Sequence, residues 1–64
     1  MKNLPVQFKY SLGQDVVIRD LGLTARIFAR CDRGNDLHDY RVIWWAESKR
    51  NDEWLYQHEL EAKP

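Results

Sequence analysis

Tyr40-Arg41-Val42-Ile43-Trp44-Trp45-Ala46-Glu47 decides the fold. The stretch is rich in β-branched and aromatic residues and alternates with a period of two, which is the pattern of a strand. One face carries Tyr40, Val42, Trp44 and Ala46, the other Arg41, Ile43, Trp45 and Glu47. Large apolar groups therefore stand on both faces. A small domain buries only one of them in its own core. The second face must cover something else: another strand, another subunit or a ligand.

Working outward, the same period recurs on either side. Gln14 to Asp20 reads as a strand, with Val16 and Ile18 on one face, and Asp20-Leu21-Gly22-Leu23 as the turn after it. Thr24 to Cys31 reads as a second strand. Its small apolar face is Ala25, Ile27, Ala29 and Cys31, and its opposite face is Thr24, Arg26, Phe28 and Arg30. Ala and Arg also favour helices, but the alternation is cleaner than any 3.6-residue pattern. Asp32-Arg33-Gly34-Asn35-Asp36 is rich in turn formers.

After the Trp-rich strand, Ser48-Lys49-Arg50-Asn51-Asp52 reads as a polar hairpin connection and Glu53-Trp54-Leu55-Tyr56 as a short fourth strand. Gln57-His58-Glu59-Leu60 fits one 3₁₀ turn, and Glu61 to Pro64 a short last strand or tail. Residues 1–8, with Pro5, read as a lead-in, and 9–64 as a single domain. Several short strands with turn signals between them predict an all-β, five-stranded small barrel that closes on itself and leaves little exposed edge.

Composition sets the limits. Sixty-four residues make one domain, and a chain of this size buries only about 60% of the surface its unfolded state exposes. Three Trp, three Tyr and two Phe help to offset that thin margin, because each large aromatic buries about 150–250 Å². Ten basic and ten acidic side chains cancel to zero net charge. That balance argues against a chain whose main work is neutralising phosphates, and slightly favours self-association. One cysteine, Cys31, forms no intrachain disulfide, and with His38 and His58 it falls short of a zinc site. No cofactor or metal is expected. The N-terminal residues have no apolar signal core, and no segment approaches the roughly 18 apolar residues of a membrane span. A soluble protein of a reducing cytoplasm is the expectation.

The Leu12-Gly13-Gln14-Asp15-Val16 opening, the Ala25-Arg26-Ile27 and Tyr40-Arg41-Val42 strands and the closing Trp54-Leu55-Tyr56-Gln57-His58-Glu59-Leu60-Glu61 together resemble the SH3-like small-barrel superfamily, with its Tudor-like and KOW-like members. The resemblance covers roughly residues 12 to 62 and implies an SH3-like barrel with one 3₁₀ turn before the last strand. Within that superfamily the layout is similar to the plasmid-borne type II dihydrofolate reductases, tetramers with a pore lined by a Val-Gln-Ile-Tyr segment. Glu53-Trp54-Leu55-Tyr56 is the comparable stretch, with Trp54 in place of the pore glutamine. Four such tryptophans would block the pore, so the resemblance does not extend to folate chemistry. A barrel of this kind also resembles many small proteins of bacteria and their phages.

The candidate site follows from the outward faces. With Val42 and Trp44 turned inward beside Val16, Ile18, Ile27, Leu55 and Leu60, the residues Phe28, Ile43, Trp45, Trp54 and Tyr56 are left to face out among Arg26, Arg30 and Arg41. Aromatics with arginine are the usual composition of a protein-interaction hot spot. A non-enzymatic module that docks a protein partner is therefore expected. Trp45 and Trp54 would anchor it, Tyr56 and Phe28 would widen the patch, and Arg41 would orient the partner. The same residue types also stack nucleic-acid bases, with Arg26, Arg30 and Arg41 as the basic stripe. Self-association that buries the Trp face is the other alternative. His38, His58 and Cys31 lie in no catalytic motif, and no enzyme activity is expected.

Overall fold

A computed structural model describes residues 8–64. The lead-in expected over residues 1–8, with its Pro5, lies outside the described residues except for Phe8. The described chain is all-β: β1 (Asp15–Ile18), β2 (Leu23–Asp32), β3 (His38–Ala46), β4 (Lys49–Tyr56), the 3₁₀ turn η1 (Gln57–Glu59) and β5 (Leu60–Ala62). The strands form one antiparallel sheet in the order β4-β3-β2-β1-β5. The 3₁₀ turn falls immediately before the last strand, as the sequence predicts.

The inward face is the one the alternation of β3 selects. Tyr40, Val42 and Trp44 are buried together with Val16, Ile18, Ala25, Ile27 and Leu60, and Leu55 packs against them. Tyr10 joins this core from outside the strands, and its hydroxyl donates to the Leu60 carbonyl at 3.2 Å. The Tyr40 hydroxyl ties three segments together. It accepts from the Tyr10 backbone N–H at 3.3 Å and donates to Gln57 Oε1 at 2.8 Å. One buried oxygen thus fixes the segment before β1 and the 3₁₀ turn after β4 onto β3.

Three expectations are corrected. The sheet does not close into a barrel: β4 and β5 are its two ends, and β4 pairs only with β3 among the described residues. The hairpin turn is not Ser48–Asp52. It is Glu47-Ser48, with φ of 52° and 62°, and β4 begins at Lys49 directly after it. Two positive-φ residues make a type I′ turn, whose twist matches that of the flanking strands and lets a charged segment pair with β3.

β2 also departs from the expected alternation. Its pairing with β3 shifts register between Ile27 and Ala29, so Phe28 is the extra residue of a β-bulge. A one-residue shift exchanges the two faces of a strand. Ile27 pairs with Val42 on the inner side, whereas Arg30, not Ala29, continues that side by pairing with Tyr40. Ala29 and Cys31 move to the outer side, opposite Arg41 and Asp39.

Candidate functional site

The outer face of β2, β3 and β4 is built in cross-strand rows. Arg26, Ile43 and Asp52 form one row, Ala29, Arg41 and Trp54 the next, and Cys31, Asp39 and Tyr56 the last. Phe28, extruded by the bulge, leans over the middle row. The Arg41 guanidinium carbon lies 5.7 Å from the Phe28 ring centre and 6.0 Å from that of Trp54. Both distances fall within the range of cation–π attraction. Arg41 Nη2 also donates to Asp52 Oδ1, and Arg50 Nη2 stands 3.9 Å from Asp52 Oδ2. The arginine is therefore held in place by two rings and one carboxylate.

Of the residues singled out from the sequence, Phe28, Arg41 and Trp54 come together in this cluster. Tyr56 continues it along the same face of β4, stacked on His58 with ring centres 5.6 Å apart and planes 11° apart. Its backbone N–H donates to Glu59 Oε2 at 2.7 Å, which locks the strand end into η1. Trp45 stands apart. It lies four residues along β3 from Arg41, roughly 13 Å at strand rise, opposite Arg50. There β2 leaves β3 to follow β1, and the strands splay into a hollow lined by Asp15, Thr24, Arg26, Ile43 and Trp45.

The basic stripe does not assemble. Arg26 and Arg41 share the outer face, but the bulge carries Arg30 to the inner side. There its guanidinium lies 4.5 Å from the Phe8 ring centre and donates to the Tyr10 carbonyl. Arg26 is itself paired with Asp15 at 3.1 Å. Of the three arginines of the stripe, the two that stay on the outer face, Arg26 and Arg41, each carry a carboxylate partner.

Sequence reasoning missed Asp52 as the counter-ion of Arg41. The signal lies in the turn: once Glu47-Ser48 is placed as a two-residue loop, the register puts Trp54 opposite Arg41 and Asp52 one row away. It also missed Asp39, buried at the end of the face, with Oδ2 accepting from Arg33 Nε at 2.7 Å. That hydrogen bond and the carboxylate charge raise the Arg33 pKa above its ordinary value.

Cys31 is half-buried beside Asp39 rather than in the core. His38 packs its ring 4.6 Å from Phe8, with Nε2 3.7 Å from Asp32 Oδ1. Among the described residues no group of three or more His, Cys, Asp or Glu converges as a metal site, and no helix is long and apolar enough to cross a membrane. No family model matches the chain, and no curated protein or solved structure matches it.

Proposed function

We propose that this chain is a non-enzymatic, SH3-like binding module of the cytoplasm that docks a protein partner on the outer face of β2, β3 and β4. The observation that carries this reading is the Arg41 guanidinium seated between Phe28 and Trp54 and neutralised by Asp52. Exposed aromatics around an arginine are the composition in which binding energy concentrates. A side chain already held by its neighbours loses little freedom when a partner binds, which lowers the entropic cost of association. Trp54 and Tyr56 are 44% and 57% exposed, so the rings have surface left to give.

The paired charges favour protein over nucleic acid. Phosphate binding gains from releasing counter-ions around free cations. Arg26 and Arg41 already have fixed carboxylate partners, and Arg30 faces away. A partner with an apolar centre and a polar rim suits this face better than a phosphate backbone. The SH3-like assignment draws on the strand order, the long β2-β3-β4 meander and the 3₁₀ turn that leads into β5.

Selection of peptides from a displayed random library tests the proposal. Peptides enriched on the wild-type chain should share a consensus and lose binding by about 30-fold on Trp54→Ala, the loss expected of an anchor worth about 2 kcal/mol. The absence of a consensus, or a consensus indifferent to Trp54, would overturn it.

A further inference from the structure

β4 ends the sheet, and its outer edge is a row of backbone groups that no described strand takes up. The turn fixes which residues own that edge. A two-residue type I′ turn closes on a pair that exchanges both backbone hydrogen bonds, here Ala46 and Lys49. The N–H and C=O of Lys49 therefore point at β3. By alternation, those of Arg50, Asp52 and Trp54 point outward.

The side chains along this edge read Lys49-Arg50-Asn51-Asp52-Glu53. The charge pattern is antisymmetric about Asn51, with two cations before it and two anions after it. We propose that β4 pairs antiparallel with β4 of a second copy of this chain, about a two-fold axis at Asn51.

In that register Arg50 stands opposite Asp52 of the copy. Both residues present their backbone groups to the edge, so each such pair exchanges its hydrogen bonds. Lys49 stands opposite Glu53 of the copy on the other face of the sheet. Every charge from Lys49 to Glu53 then meets its opposite, and the uncharged Asn51 meets itself.

The neighbouring registers fail. A two-fold at Arg50, Asp52 or Glu53 sets a like charge against itself, and like charges directly opposite destabilise a strand pair. Charged side chains on an edge commonly serve only to block pairing. Here the same charges block the registers centred on Arg50, Asp52 and Glu53, and the one centred on Asn51 is the register in which every charge meets its opposite. A second observation favours the incoming lysine. Glu53 rims a groove between β4 and the turn after β1 together with Asp20 and Glu59, and no cation among the described residues lines it. Lys49 of the copy approaches that rim from the open side. Side-by-side edge pairing leaves the outer face over Phe28 and Arg41 open, and Asp52, the counter-ion of Arg41, there also meets Arg50 of the copy.

Charge reversal tests both the dimer and its register. Lys49 and Glu53 are exposed and take part in none of the ion pairs among the described residues. Sedimentation of the full chain should give a monomer–dimer equilibrium between micromolar and near-millimolar concentration that weakens with added salt. Lys49→Glu alone and Glu53→Lys alone should each weaken the dimer by about tenfold or more, since attraction becomes repulsion at two symmetric sites. An equimolar mixture of the two variants should recover it as a heterodimer.

Asn51→Cys in a Cys31→Ser background reads the axis directly. Opposed residues of a non-hydrogen-bonded pair lie about 4.5 Å apart at Cα, within disulfide reach. This variant should cross-link in mild oxidant. A monomer at every concentration would overturn the proposal. So would a dimer indifferent to both reversals, or an Asn51→Cys chain that stays uncrosslinked.

Discussion

Trp44 and Trp45 are neighbours in the chain and opposites in the fold: the first is 9% exposed, the second 68%. The alternation of β3 sends one ring into the core and the other onto the outer face. Truncating them must therefore have unequal consequences. Trp44→Ala should destabilise the chain by about 3–5 kcal/mol, through lost burial and the cavity left behind. Trp45→Ala should stay within about 0.5 kcal/mol. Urea denaturation of both variants checks this, and equal losses would mean that the outer face is core.

The Tyr40 hydroxyl is the junction between the segment before β1 and η1. Tyr40→Phe keeps the ring and removes the oxygen. It leaves the Tyr10 N–H without its acceptor in a buried setting, at a cost of about 1–3 kcal/mol. The denaturation midpoint should fall with the slope unchanged, and an unaltered midpoint would show that the junction carries no stability.

Much of this was legible in the sequence, for a physical reason. β3 buries three large residues at strict alternate positions, so the core side of Tyr40, Val42 and Trp44 follows from the pattern alone. The first half of β4 was not legible. Lys49 to Glu53 is polar and charged, and its strand is held by the β3 ladder and the Glu47-Ser48 turn rather than by its own side chains. The bulge was hidden because the alternation from Thr24 to Cys31 runs unbroken through Phe28. That single extra residue removes Arg30 from the outer face and brings Phe28 over Arg41. The candidate site was thus legible in its residue types, while its geometry depended on one bulge and one turn.

The Glu47-Ser48 turn predicts a simple gain. Both residues hold a left-handed backbone, which strains an ordinary L-residue by roughly 1–2 kcal/mol. Asn-Gly is the pair best suited to a type I′ turn. Glu47→Asn with Ser48→Gly should therefore raise stability by about 1 kcal/mol after the extra freedom of glycine in the unfolded chain is set against it. Thermal melting reads the gain, and a lower midpoint would contradict the turn assignment.

The Arg33–Asp39 pair gives a pH prediction with a definite sign. The folded-state pKa of Arg33 is raised, first by the hydrogen bond to Asp39 and then by its charge. A raised pKa contributes stability that is complete below the unfolded value and is lost only as pH climbs through the folded one. Both lie far into alkali for arginine. Arg33→Met should therefore lower stability by the same amount at neutral and at mildly alkaline pH. A loss that changes across that range would show that another group titrates with it.

The most direct test of the docking face is an NMR titration that follows the Trp44, Trp45 and Trp54 indole N–H signals of the full chain. One arm adds a peptide enriched by display selection, the other a mixed-sequence single-stranded oligonucleotide at moderate salt. The account predicts that the peptide moves the Trp54 signal, leaves buried Trp44 in place, and that the oligonucleotide moves none of them. A Trp54 signal that ignores the peptide, or that moves with the oligonucleotide and returns as salt is raised, would contradict it.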